Sequence, residues 1–210
     1  MLRFCIVFIL CNYQIECVMQ NISCPNVSPR ELDLVELDGK WYLTAVATDL
    51  NMQGDCAMVV FNHKNNNATD VSISWVVNNT ATYYNGSVAL TVGSNGGDLL
   101  LVTYTDQKSE SYSVLDVNYE HYALIFACYD NPDGNSSTYE LWKLTRTPHL
   151  KKTDAAMLDQ IVGNYSLQNT PFLIFNNTED SCKLNSGNHL NPAALVMTSA
   201  AAITLLRRLY

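Results

Sequence analysis

From residue 41 to residue 145 the chain reads as short apolar-rich runs separated by residues that make turns, the pattern of repeated β-strands. The runs are 41–48, 56–63, 70–78, 82–92, 99–105, 111–117, 122–128 and 138–145. Between them stand Asn51-Met-Gln-Gly54, Asn65-Asn-Asn67, Asn78-Asn79, Gly93-Ser-Asn-Gly-Gly97, Asp106 to Glu110 and Asn131-Pro-Asp-Gly134, which accept positive φ or pre-set a turn. Links this short favour antiparallel neighbours, and eight such strands close most economically into an up-and-down barrel without exposed edges. The expected fold is therefore an all-β, eight-stranded antiparallel barrel whose interior is wide enough for one small ligand.

Alternation points to inward faces in two strands. Val71, Ile73, Trp75 and Val77 alternate with Ser72 and Ser74, and Trp142 and Leu144 alternate with Lys143 and Thr145. In 122–128 apolar residues fall on both faces, and parity stays open. After the strands, Thr153 is the expected N-cap of one helix with Asp154 in its first turn; Leu158, Ile161 and Val162 recur at helical spacing before Gly163 and Asn164. This helix should pack on the barrel wall, and Pro171 to Phe175 forms a short apolar strand or covering segment after it.

Composition fits one β-rich domain: 210 residues, 48% hydrophobic and only 15% charged, with 12 tyrosines. The net charge of −8, with no basic run longer than Lys151-Lys152, excludes a surface built to neutralise nucleic-acid phosphates. Three segments are expected. Residues 1–20 read as a secretory signal peptide, 21–185 as the folded domain, and 186–210 as a hydrophobic tail. The uncharged run from Ala193 to Leu206 follows a small polar stretch and has the form of a GPI-attachment signal, with Asn185 the expected attachment residue. The expected location is extracellular, either GPI-anchored at the cell surface or secreted.

Cysteine usage agrees with export. Cys5, Cys11 and Cys17 lie in the signal segment, leaving Cys24, Cys56, Cys128 and Cys182 for two disulfides, with three pairings open. Sequons at Asn21, Asn26, Asn67, Asn78, Asn85, Asn135, Asn164 and Asn176 predict heavy glycosylation, most of them in turn-like stretches.

The segment Leu37-Asp-Gly39-Lys-Trp41-Tyr42 carries a Gly-x-Trp signature. Asn118-Tyr119-Glu-His-Tyr122 is similar to a Thr-Asp-Tyr-x-x-Tyr turn, with Val117 and Asn118 in place of Thr and Asp. Arg146 stands after the last strand. Together with the helix and four cysteines, these features resemble the lipocalin family, in the branch of apolipoprotein D, Lazarillo and the insect bilin-binding proteins. The resemblance spans roughly Cys24 to Cys182. It implies Cys24–Cys128 and Cys56–Cys182 disulfides, an Arg146 guanidinium stacked over Trp41 at the closed floor, and structural roles for Gly39 and Tyr119. It also implies a pocket lined at Trp142 and Leu144, with Phe61 and Trp75 as further aromatic candidates.

No Gly-x-Ser-x-Gly, His-Glu-x-x-His or phosphate-binding glycine motif is present, and His63, His121, His149 and His189 show no ligand spacing. One lipocalin branch is enzymatic through a barrel cysteine, but all four mature cysteines here are committed to disulfides. The expectation is a non-enzyme without metal or cofactor that carries or sequesters a fatty acid, retinoid, sterol or tetrapyrrole. The alternative is a Lazarillo-like surface recognition glycoprotein in neuronal development or axon guidance, with a cell-surface protein partner.

Overall fold

The computed structural model describes residues 18–20, 23–48, 52–64, 68–132 and 134–186. The signal segment before residue 18, the tail after α3 and the sequons Asn21 and Asn67 lie outside the described residues. The elements are β1 (Val18–Gln20), α1 (Leu34–Leu37), β2 (Gly39–Ala47), β3 (Cys56–Lys64), β4 (Ala68–Val77), β5 (Thr80–Val92), β6 (Asp98–Tyr104) and β7 (Ser109–Asn118). There follow β8 (Tyr122–Asp130), β9 (Ser137–Thr145), α2 (Lys152–Asn164), β10 (Leu173–Ile174) and α3 (Glu179–Ser186).

Strands β2 to β9 pair antiparallel with their sequence neighbours, and β9 returns to pair with β2, so the eight-stranded barrel closes on itself. Irregularities between Leu43 and Ala45 and between Val114 and Asp116 shift the register, which re-aims the side chains beyond them. The added strands β1 and β10 pair with β9 and β2 outside the closed ring. Gly86, in the middle of β5, allows a close approach of the next strand: a Cβ there would stand 2.7 Å from the Thr103 carbonyl oxygen of β6.

Helix α2 packs on the outside, where Leu158 and Val162 meet Leu115, Leu124, Phe126 and Leu141. This resolves the parity of β8. Ala123, Ile125 and Ala127 belong to the interior cluster, whereas Leu124 and Phe126 face the helix, so both sides of that strand are apolar because both are covered. The helix begins two residues before the expected start. Lys151 is its N-cap and makes no side-chain capping bond, while the Thr153 hydroxyl bonds the Asp154 carboxylate instead. Two short helices that the hydrophobic pattern does not announce flank the barrel: α1 below the floor, capped by the Asp33 carboxylate, and α3, whose Cys182 is buried with Cys56, Met58 and Val76.

The disulfides join Cys24 to Cys128 and Cys56 to Cys182. The first ties the segment before the barrel to β8; the second ties α3 to β3.

Candidate functional site

The strand register sends one row of side chains into the barrel. Val59, Phe61, Val71, Ile73, Leu100, Val102, Tyr104, Tyr112, Ile125 and Trp142 surround an apolar cavity of only about 30 Å³, room for about one water molecule. Phe61 and Trp142 therefore line the cavity. Leu144, fully buried, sits two residues further along β9 in the same core, and Trp75 is half-buried and packs against that core. Met52, from the connection between β2 and β3, is also fully buried in this cluster. The polypeptide itself thus fills much of the space a ligand would take.

Beside the cavity lies a buried polar network. Trp142 Nε1 donates to Glu140 Oε2 at 3.1 Å, and the Thr48 hydroxyl donates to Glu140 Oε1 at 2.9 Å. The Tyr112 hydroxyl donates to Glu110 Oε2, lies 3.3 Å from Glu140 Oε2, and is 2.9 Å from the Tyr104 hydroxyl. Tyr84 stacks on Tyr104 with ring centroids 4.2 Å apart, and Trp142 meets the Tyr112 ring edge-on at 6.0 Å. Glu140, although 4% exposed, is thereby hydrogen-bonded as a buried carboxylate must be.

The opposite end of the barrel is sealed. Arg146 Cζ lies 3.8 Å from the centroid of the Trp41 ring. Its guanidinium donates to the carbonyls of Tyr119 (2.8 Å), Asp38 (2.8 Å), Lys40 (3.1 Å) and Glu36 (2.9 Å). Trp41 Nε1 in turn donates to the Leu37 carbonyl. Gly39 has φ +91°, and a Cβ on it would stand 3.4 Å from Arg146 Nη1, so glycine there gives both the backbone conformation and the close approach. The Tyr119 hydroxyl accepts from Asp33 N–H, and the Asn118 side-chain oxygen from Glu120 N–H. The amide at residue 118 thus satisfies its own turn.

Burial shifts the tyrosine hydroxyls here in one direction, towards weaker acidity. Desolvation, reinforced by the nearby Glu140 charge, holds the Tyr112 hydroxyl far above its ordinary range, and desolvation dominates for Tyr104 too. Tyr122, partly buried and donating to Asp116, is pushed up to about 12. Because the unfolded chain ionises its tyrosines near pH 10, stability tied to these three groups is complete below that pH and is lost as pH rises through 10 towards 12. Tyrosinate absorbance should accordingly show these three ionising only together with loss of near-ultraviolet circular dichroism. Reversible ionisation of all 12 tyrosines in a still-folded chain would contradict the burial.

The lipocalin / cytosolic fatty-acid binding protein family model matches residues 38–184. The chain belongs to the lipocalin family. It is 22% identical over 172 residues to insecticyanin-B of Manduca sexta, covering 78% of this chain and 83% of that one. Among solved structures it is similar to insecticyanin of the tobacco hornworm Manduca sexta, with a TM-score of 0.66, 20% identity, and coverage of 80% of this chain and 93% of the other. It is also similar to lobster apocrustacyanin A1, with a TM-score of 0.60, 14% identity, and coverage of 77% and 94%. These likenesses share the fold described above, a closed antiparallel barrel with a helix after it.

Within this lipocalin, the network residues Glu110, Tyr112 and Glu140 are the ones that sequence reasoning did not single out. The signal was available in β9: Glu140 has the same parity as Trp142 and Leu144 and so faces inward with them. The outer face carries a second concavity of about 760 Å³, crossing β2 to β6, where Lys40, Val60, Ser72, Ser87 and Thr103 alternate with inward residues. Asn85 lies in it, mid-strand and opposite Ser72 rather than in a turn. The other sequons on described residues, at Asn26, Asn78, Asn135, Asn164 and Asn176, are exposed. Among the described residues no group of three His, Cys, Asp or Glu side chains could hold a metal ion, and no helix is long and apolar enough to cross a membrane.

Proposed function

We propose that this lipocalin carries or sequesters a small hydrophobic molecule outside the cell, held at the cell surface by a GPI anchor at Asn185. The observation that carries the reading is the closed barrel whose interior row is apolar and aromatic, with Phe61 and Trp142 on the cavity wall and a few convergent polar groups at one side. Family membership supports it, since lipocalins are generally ligand-binding carriers rather than enzymes. The cavity must widen to admit cargo, and unbranched Met52 is the buried side chain best suited to move. The anchor rests on the uncharged run from Ala193 to Leu206.

The test is expression of the full chain in insect cells, followed by phosphatidylinositol-specific phospholipase C and extraction of the released protein. Release into the medium together with a co-purified apolar molecule is the expected result. Protein that stays on the cells after the enzyme, or is free without it, removes the anchor; released protein with no extractable molecule removes the cargo. One observation favours a second reading as a Lazarillo-like surface recognition glycoprotein in neuronal development: the interior is nearly filled, while five sequons stand exposed. An empty barrel on anchored, glycosylated protein is the outcome that reading expects.

A further inference from the structure

The outer wall of a closed barrel is ordinarily convex, yet this one carries the concavity of about 760 Å³ across β2 to β6. The strand register lays its surface out as two outward rows. Lys40, Val60, Ser72 and Asn85 stand opposite one another in the first, and Asn62, Asp70, Ser87 and Thr103 in the second. Most of these side chains are short. The hydroxyls of Ser72, Ser87 and Thr105 and the side-chain amide of Asn85 have no hydrogen-bond partner among the described residues, so the wall presents donors and acceptors outward. Both working residues of the sequon Asn85-Gly86-Ser87 lie on it, Asn85 in the first row and Ser87 in the second. Asn78 and Asn176 are exposed instead, the former at the turn from β4 to β5. A strand side chain stands roughly perpendicular to its sheet, so a sugar chain on Asn85 starts inside the concavity. Ser72 of β4 is on one side of it, and on the other is Thr105, whose N–H donates to the Asn85 carbonyl at 3.0 Å.

We propose that Asn85 carries an N-linked glycan whose first sugars lie in this concavity and form part of the barrel wall. In the covalent step the Asn85 amide nitrogen bonds to the anomeric carbon of an oligosaccharide held on a lipid diphosphate. The carbon–oxygen bond to the diphosphate breaks, the lipid diphosphate leaves with its electron pair, and the amide gives up a proton. Transfer to a chain that has not yet folded makes a mid-strand asparagine as reachable as one in a turn. Once the barrel closes, sugar hydroxyl and acetamido groups meet Ser72, Ser87, Thr105 and Asn62, and the C–H face of a ring meets the half-buried side chain of Val60. The volume is in the range of pockets that take small molecules, enough for the first sugars and not for a whole glycan, whose branches stand in water. The wall is then covered by the protein's own carbohydrate and closed to other partners. This inference rests on export of the chain, part of the reading proposed above, and adds where one glycan sits and what it covers.

The full chain, produced in mammalian cells under a mannosidase inhibitor and recovered from the medium or the cell surface, tests this. Its uniform high-mannose chains are cut by endoglycosidase H between the first and second N-acetylglucosamine, and mass spectrometry of the peptides follows each sequon separately. On the native protein, Asn85 should be occupied and cut about tenfold more slowly than Asn78 and Asn176, as a bond exposed only by local opening is; after denaturation the three should be cut alike. Ser72→Arg and Thr105→Arg each place a long side chain in the concavity beside Asn85 and leave the sequon intact. In either variant, checked for native near-ultraviolet circular dichroism, cutting at Asn85 should rise to within about threefold of Asn78. The two substitutions are on different strands or turns, so misfolding of one leaves the other to decide. Asn85 bare while other sequons are occupied, Asn85 cut as fast as Asn78, or slow cutting that survives in a folded variant overturns the seated glycan and leaves export standing. No glycan at any sequon overturns export and the inference with it.

Discussion

Replacing Arg146 with alanine is expected to lower the stability of the barrel by about 3 kcal/mol, the scale of losing several charge-assisted hydrogen bonds and a cation–aromatic contact at a partly solvated site. The guanidinium reaches three carbonyls in the continuous stretch from α1 through Asp38 to the start of β2 and a fourth on the β7–β8 connection, so one side chain just past the end of β9 joins two stretches far apart in sequence. Lysine in its place should recover less than half of the loss, because a point charge cannot match the planar fork or stack on Trp41. Urea unfolding midpoints of the two variants check this. A shift for alanine no larger than that of an ordinary surface substitution, within about 0.5 kcal/mol, would mean the floor is held by packing alone.

The Cys56–Cys182 bridge is expected to be worth about 2–5 kcal/mol, and its loss should be felt more than that of Cys24–Cys128. Its two cysteines are 126 residues apart, and Cys182 is the buried residue that fastens α3 to the barrel. The remaining described contacts of α3 include Lys183 with Glu179 and Asp180, exposed pairs that hold a helix to itself rather than to the wall. The segment around Cys24 is tied several times over. Cys24 N–H donates to Asp130, Arg30 pairs with Asp116 at 2.8 Å, and Leu32 N–H donates to Asp98. Thermal melts of the Cys56→Ser/Cys182→Ser and Cys24→Ser/Cys128→Ser pairs should therefore rank in that order, and limited proteolysis of the first should cut near α3. Equal melting temperatures with α3 still protected would count against this division of labour.

The barrel was legible because its strands alternate and its turns carry Asn, Gly and Pro in the right places. The residues beside the cavity were less so, for a physical reason. Alternation is read by asking which positions are apolar, and Glu110 and Glu140 are inward-facing carboxylates, acceptable there because Tyr112 and Trp142 donate to them from two residues along the same strand and Thr48 donates to Glu140 from just past the far end of β2, distant in sequence. Lys143 shows the converse. It faces outward as its parity requires, yet is buried beneath α2 with Asp159 at 2.6 Å and the Phe172 ring at 4.5 Å. Helix α3 has a polar sequence without an apolar stripe, because a covalent bond does the work that a stripe would do elsewhere. Asn177 looks like an ordinary loop residue but is fully buried, its side-chain amide joining Ala57, Leu43 and Pro148 across three segments.

Met52 turns affinity into a competition. Under the proposed carriage role, a ligand entering the apolar interior meets a thioether that is already buried in that core cluster. In that role the methionine is an intramolecular competitor, whose local concentration does not fall when the protein is diluted. The apparent dissociation constant of any cargo is then its intrinsic value divided by the fraction of molecules in which Met52 has withdrawn. On that reading, weak apolar molecules should be turned away by the protein itself, leaving only one that binds distinctly better than its own side chain.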